Sequence, residues 1–311
     1  MAPYQYNMIV VTGPTATGKT SFAAGLASRL DGEIISADSR QVYRGMDIGT
    51  GKDYNDYIVN GNKVPYHLID IVDAGYKYNV FEYQRDFMDV YNDVTARNKF
   101  PVLCGGTGLY IDSVLRGYRL LKVPVNEALR NKLEPLSLPE LRIILEKYRK
   151  LHNVSDVDTK KRAIRAIEIE EYYKNNSDSG EQFPSISTLV TAISFDRNTR
   201  RSRISERLKA RLDEGMLDEV KRLLEKGLTP DDLIYYGLEY KFITLYLTGA
   251  LSYEDMFRKL ETAIHQFSKR QMTWFRGMER RGVRIHWLDG NLDAGSRIDQ
   301  VLSLLNKQII L

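Results

Sequence analysis

The chain has 311 residues, 43% of them apolar and 28% charged, which describes a soluble globular protein with ample core in one large or two ordinary domains. No apolar run approaches a bilayer-spanning length, and the start MAPYQYNMIV lacks a basic n-region and a long apolar h-region, so a membrane is excluded and a cytoplasmic location expected. Cys104, the only cysteine, cannot form an internal disulfide, and His67, His152, His265 and His286 show no ligand spacing; protein-held zinc is disfavoured and Mg²⁺ carried in by a substrate is the expected metal.

The first predicted strand is the apolar run Met8-Ile9-Val10-Val11, and a helix-like stretch follows at residues 21–30. Between them stands a complete Walker A sequence: Gly13, Pro14, Thr15, Ala16, Thr17, Gly18, Lys19 and Thr20. Glycines at both ends let the backbone curl so that successive N–H groups and the helix N-terminus converge on a phosphate. Lys19 adds a point charge, and Thr20 offers a hydroxyl to Mg²⁺. The chain is expected to bind a phosphorylated small molecule; the loop does not say which one, or what becomes of it.

A second strand is predicted over residues 33–37. Asp38 ends it, within SADSRQVYRGMDIGTGK, where a carboxylate of a doubly wound sheet lies near the P-loop and can accept a proton or hold Mg²⁺ through water. A lone Asp-Ser pair is more often an ordinary turn or helix cap. Further strands are predicted at residues 67–72 and 100–104, with a crossover helix between them marked by Phe81, Phe87, Met88, Tyr91 and Val94. Gly105-Gly106-Thr107-Gly108 then makes a second glycine turn at the same sheet edge, suited to approaching a ligand or simply to packing. The fold expected is α/β, with a P-loop NTPase-like parallel sheet and the site at the strand C-termini.

From Tyr118 the character changes. Residues 127–150 and 158–174 read as charged helices, and residues 175–187 have the composition of a mobile loop. The expected organisation is a first core segment at 1–119, a helical insertion at 120–187 and a completing core segment at 188–311. In the last segment a strand is predicted at 190–195. Ile204, Leu208, Leu212, Met216, Val220 and Leu224 then recur every four residues as one long amphipathic helix. Another helix is predicted at 253–278 and a final strand at 285–288.

Net charge is only +4, with 12 basic and 13 acidic residues in the first 120, so the excess lies further on. Residues 197–211 carry seven Lys or Arg against one Glu; residues 269–281 carry five against one, with Trp274 and Phe275 interleaved. Such runs suit a polyanion with bases to stack, and they also suit a solvated helix face. Trp274 itself reads equally as stacking platform or core.

Five segments in this order, GPTATGKT, SADSRQVYRGMDIGTGK, PVLCGGTGLYI, RISERLKARLDEGMLDEV and KRQMTWFR, closely resemble the tRNA dimethylallyltransferases. The resemblance runs through nearly the whole chain. It implies transfer of a dimethylallyl group from dimethylallyl diphosphate to N6 of the adenine after the anticodon in tRNA, position 37. Residues Thr15 to Thr20 would hold the diphosphate with Mg²⁺. By the same resemblance Asp38 matches the general base, Arg207 a diphosphate ligand assisted by Arg203, and Thr107 a residue beside the adenine. Ser39, Arg40 and Gln41, then Lys161, Arg162 and Arg165, then Lys269, Arg270, Gln271, Thr273, Trp274 and Arg276 match segments that hold the RNA. A monomer is expected. The chain departs from the family at Gly237-Leu238-Glu239-Tyr240-Lys241, where G-Y-K/R is usual, and its insertion is shorter than in bacterial relatives.

Three other readings stay open on sequence grounds. A P-loop small-molecule kinase leaves KRQMTWFR unexplained; a free-nucleotide isopentenyltransferase has no use for the insertion and basic runs. A non-catalytic RNA-binding protein needs no combination of Lys19, Thr20 and Asp38.

Overall fold

The computed structural model describes residues 5–118, 120–148, 159–176 and 183–306. The chain divides into two compact units, one formed by Met1–Gly117 with Ser185–Leu311 and the other by Tyr118–Pro184.

The larger unit begins with β1 (Met8–Thr12), α1 (Lys19–Arg29) and β2 (Gly32–Ser36). Five further elements are short: β3 (Tyr43–Arg44), β4 (Ile58–Val59), β5 (Asn62–Lys63), β6 (Tyr66–His67) and β7 (Val72–Asp73), with a 3-10 turn at Tyr54–Tyr57. Next come α2 (Val80–Ala96), β8 (Phe100–Cys104) and α3 (Gly108–Leu115). The smaller unit holds α4 (Glu127–Leu133), α5 (Leu138–Glu146) and α6 (Lys160–Asn175). The larger unit resumes with β9 (Thr188–Ser194), α7 (Arg197–Asp213), α8 (Met216–Glu225), α9 (Pro230–Tyr235), α10 (Leu238–Leu247), α11 (Tyr253–Arg280), β10 (Ile285–Asp289) and α12 (Ala294–Asn306).

The central sheet has six strands in the order β10-β9-β1-β8-β2-β6, every pair parallel. Strands β1, β2 and β8 are buried along their whole length, which explains their unbroken apolar runs: helices cover both faces of such a sheet. Strand β1 lies between β8 and β9, with Ile9 opposite Val102 on one side and Leu189 on the other. The loops at the C-terminal ends of β1, β2 and β8 therefore converge, at the position where open α/β sheets place their ligands. Phe22, Leu26, Ile298 and Val301, from α1 and α12, join Ile9, Val11 and Val102 in the core below them.

In the smaller unit Leu133, Leu141, Leu145, Ala163, Ile164 and Ile167 make a separate core. Arg130 and Arg165 both pair with the buried Glu168.

Three predicted elements are corrected. The strand expected at 67–72 is divided: β6 joins the main sheet, while Val72 pairs with Tyr43 in a small sheet of its own. Leu68 and Asp70 between them have positive φ of 60° and 56°, incompatible with continuous strand. The single helix from Ile204 to Leu224 is two, because Gly215 stands in the left-handed region at φ 98° and caps α8. Spacing of four continued across the break and disguised it. The helix expected at 127–150 is also two, α5 restarting from a capping box between Ser137 and Glu140 with Pro139 in its first turn. Residues 149–158 and, within the expected mobile tract, 177–182 lie outside the described residues.

Candidate active site

The P-loop follows β1 directly. Gly13 has φ 140°, and a Cβ there would come within 2.6 Å of the Ile193 carbonyl oxygen, so no larger residue fits the turn out of the strand. Gly18, at φ 73°, caps α1, whose first N–H groups have no helical partner and are free for an anion. Thr17 Oγ1 donates to the Pro14 carbonyl at 2.9 Å, and Lys19 Nζ donates to the same oxygen at 2.9 Å. Burial holds the Lys19 ammonium down at about 8, with the charge of Arg207 acting in the same direction and Asp38 opposing it.

Asp38 sits where β2 ends and closes a turn by accepting the Arg40 backbone N–H at 2.9 Å. That is the local capping role weighed from sequence, and it occupies one carboxylate oxygen without sealing the group from its surroundings. Thr107 fastens this loop to the second glycine turn. Its backbone N–H donates to Ala37 O at 3.1 Å, and its Oγ1 accepts the Ser39 N–H at 3.0 Å and lies 3.3 Å from Ser39 Oγ. The turn is fixed in turn to β1, since Thr12 Oγ1 donates to Gly105 O at 2.9 Å.

Arginines of α7 approach from the other side. Arg203 Nε donates to Ala16 O at 2.9 Å and its guanidinium lies 4.7 Å from the Phe195 ring centroid. Arg207 Nη1 is 3.3 Å from Thr15 Oγ1. Gly51, at φ 78°, lies against the Arg207 and Arg211 guanidinium groups, and a Cβ there would displace the tip of Arg207. Burial lowers the Arg207 pKa, with Arg211 next to it adding to the effect and Asp53, Glu239 and Asp38 opposing it. Arg207, Lys19 and Asp38 thus share one electrostatic site.

Two groups that sequence reasoning missed hold the segment from Tyr43 to Asp53. Glu219, 3% exposed, accepts the backbone N–H groups of Asp47, Ile48 and Gly49 at 2.8, 2.7 and 3.0 Å and the Tyr240 hydroxyl at 2.7 Å. Lys52 donates to Tyr43 O at 2.6 Å, to Asp47 Oδ1 at 2.8 Å and to Asp70. The signal was present: GMDIGTGK and LDEV belong to the motif set, and a glutamate on the apolar face of α8 asks for donors. Arg211 completes the frame, paired with both oxygens of Asp53 at 2.9 and 3.0 Å and donating to Ile48 O.

The residues matched to RNA segments separate into buried and exposed sets. Gln41 is buried, its Nε2 donating to Gly51 O at 3.0 Å and its Oε1 accepting from Ser36. Gln271 is buried too, its Oε1 accepting the Thr15 N–H at 2.9 Å and its Nε2 donating to Gly106 O at 3.0 Å. Both amides tie loops of the site together, a role in the frame of the site beside the RNA contact that the resemblance implies. Trp274 is half-buried, its indole lying against Gly108 at the start of α3, so the core reading fits it. Lys269, Arg270, Thr273 and Arg276 are exposed. Arg200 feels the charge of Arg276, so the two basic runs, on α7 and α11, come together. In the smaller unit Lys161 and Arg162 are exposed on the first turn of α6, and Arg165 donates to Val123 O at 2.9 Å besides pairing with Glu168.

Among the described residues no group of three His, Cys, Asp or Glu side chains could hold a metal ion. The donor set, a half-buried Thr20 at the second position of α1 facing a phosphate-binding loop, fits Mg²⁺ that arrives on a diphosphate. No helix among those residues is long and apolar enough to cross a membrane.

Fold and site together define an α/β protein with a P-loop-like core, whose glycine loop lies beside a carboxylate and a set of arginines. The chain belongs to the IPP transferase family, whose model matches residues 41–278; a second model, isopentenyl transferase, matches residues 6–70. It is 61% identical over 302 residues to tRNA dimethylallyltransferase 2 of Phocaeicola vulgatus, covering 97% of this chain and 98% of that one. It is 60% identical over 304 residues to tRNA dimethylallyltransferase 1 of Parabacteroides distasonis, covering 98% and 99%. Among solved structures, the tRNA isopentenylpyrophosphate transferase of Bacillus halodurans superposes with a TM-score of 0.69 at 29% identity, over 96% of this chain and 95% of that one.

Proposed function

We infer that this chain transfers a dimethylallyl group from dimethylallyl diphosphate to N6 of adenine 37, next to the anticodon, in tRNA. One observation carries the reading at the level of chemistry: Arg207 Nη1 lies 3.3 Å from Thr15 Oγ1 of the P-loop, and the Asp38 carboxylate acts on the charge of both Lys19 and Arg207, which supports a proton acceptor beside a diphosphate cradle. The family's substrates have both features, an allylic diphosphate and an amine that must lose a proton.

The P-loop N–H groups, Lys19 and Arg207 bind the diphosphate and stabilise the charge that grows on it as the allylic C–O bond breaks, with Arg203 bracing the loop through Ala16. Mg²⁺ on the diphosphate, taking the Thr20 hydroxyl, would add Lewis-acid charge to the leaving group. Asp38 accepts the N6 proton only as the new C–N bond forms, when the amine has become acidic enough for an ordinary carboxylate. Thr107 holds the Asp38 loop at its working distance. An adenine in an anticodon loop must leave its stack to reach this edge, and Lys269, Arg270 and Arg276, with Lys161 and Arg162 of the smaller unit, supply exposed cations for the RNA backbone. A monomer in the cytoplasm suffices for this chemistry.

Acceptor competition tests the reading. With radiolabelled dimethylallyl diphosphate, label should pass to tRNA and not to AMP; transfer to AMP at comparable rates would favour the free-nucleotide enzyme, and phosphate transfer from ATP would favour a kinase.

A further inference from the structure

Beside the Asp38 loop is a feature that the reaction scheme leaves unused. Tyr235 ends α9 and is 46% exposed. The Arg40 guanidinium lies 5.4 Å from its ring centroid and Lys77 Nζ 5.9 Å from it. Among the described residues neither cation forms an ion pair with a carboxylate; Asp232, which senses Lys77, is committed to the N–H and hydroxyl of Thr229 at 3.1 and 2.6 Å.

The arrangement is held from beneath. Tyr235 stands edge-on to Tyr236 at 5.5 Å, and Tyr236 packs on Tyr43 at 4.7 Å. The buried Tyr236 hydroxyl accepts the Gly75 N–H at 2.5 Å and donates to Tyr76 O at 3.2 Å. Three segments, the Asp38 loop through Arg40, the Gly75–Lys77 turn and the end of α9, are thereby brought to one aromatic ring. A protein that needed only a soluble surface there has no reason to gather two unneutralised cations on an exposed tyrosine.

We propose that Tyr235, with Arg40 and Lys77, forms a stacking platform for an unpaired anticodon-loop nucleotide that flanks the acceptor adenine. The ring takes the base, and the two cations take the adjoining phosphates. A nucleotide matches both parts, a π-face for the ring and anionic oxygens for the cations, and exposed aromatics beside basic groups are how single-stranded RNA is held without base-pair geometry. Arg40 is two residues from Asp38 and its N–H binds that carboxylate, so the platform adjoins the loop that carries Asp38, where a nucleotide flanking the acceptor would lie. The proposal rests on the tRNA-prenylation reading and adds Tyr235 and Lys77 to it, with a specific partner for Arg40.

The test uses the full chain and an anticodon stem-loop with 2-aminopurine placed on one or the other side of the acceptor adenine. Bound to the wild-type protein, the probe on one side should be quenched by stacking, and Tyr235→Ala should relieve that quenching. Tyr235→Ala should weaken tRNA binding about ten-fold, raise KM for tRNA with kcat and donor affinity unchanged, and be rescued by Tyr235→Trp. Lys77→Ala should lower the slope of log affinity against log salt by about one. A folded Tyr235→Ala protein with wild-type tRNA affinity and unchanged fluorescence at both probe positions would overturn the platform. Prenylation of tRNA by the wild-type chain would stand in that case, and its absence would instead remove the underlying reading.

Discussion

Gln271 Oε1 accepts the backbone N–H of Thr15 at 2.9 Å, joining the middle of α11 to the third residue of the P-loop. The same side chain donates to Gly106 O at 3.0 Å, so one amide spans two of the three loops that form the site. Gln271→Ala leaves a donor and an acceptor unpaired in a buried position, which costs about 1–3 kcal/mol. Urea unfolding should show that loss, donor affinity should fall with it, and the salt dependence of tRNA binding should not change. A folded variant with donor affinity intact and weakened tRNA binding would return Gln271 to the RNA surface.

The Lys19 ammonium is held down at about 8 by burial, with Arg207 adding to the effect. A cation with a lowered pKa is lost as pH rises through that value, and a bound diphosphate favours the charged form. Donor affinity should therefore be level below pH 8 and fall above it, by up to about ten-fold per pH unit. Lys19→Arg removes the dependence while keeping a charge. Lys19→Ala and Arg207→Ala should both weaken donor binding and slow turnover; calorimetric titration of donor across pH distinguishes these cases from an effect on tRNA.

Glu219 accepts three consecutive backbone N–H groups and the Tyr240 hydroxyl. In Glu219→Gln the amide nitrogen must face a donor, whichever way the side chain is turned. The variant should lose about 2–3 kcal/mol of stability, read by denaturant unfolding, and donor affinity should fall because Gly51, in the same loop, lies against the Arg207 guanidinium. Tyr240→Phe, which removes one donor and leaves the three N–H groups, should be milder.

Much of this was legible in the residues. The P-loop, the buried strands β1, β2 and β8 and the position of Asp38 follow from unbroken apolar runs and glycine turns, because a parallel sheet covered on both faces has only one pattern to show. The breaks were not legible. Spacing of four carries across Gly215 as smoothly as through a helix, and Leu68 and Asp70 give no warning of their positive φ. Helices α3, α9, α10 and α12 were passed over, being short or terminal. The buried roles of Gln271 and Glu219 depend on partners tens to hundreds of residues away, and that of Gln41 on a loop that folds back within ten residues; a polar side chain within a motif reads as a ligand contact until those partners are seen.

The central claim is that one carboxylate takes the proton while the P-loop holds the leaving group. Its most direct test is mass spectrometry of tRNA after incubation with Mg²⁺ and dimethylallyl diphosphate, wild type beside Asp38→Asn. The wild-type chain should add a single five-carbon prenyl unit to the adenosine next to the anticodon. Asp38→Asn should bind tRNA within a few fold of wild type and form that product about 10²–10⁴-fold more slowly. Unmodified tRNA from the wild-type chain, or product from Asp38→Asn at the wild-type rate, would contradict it.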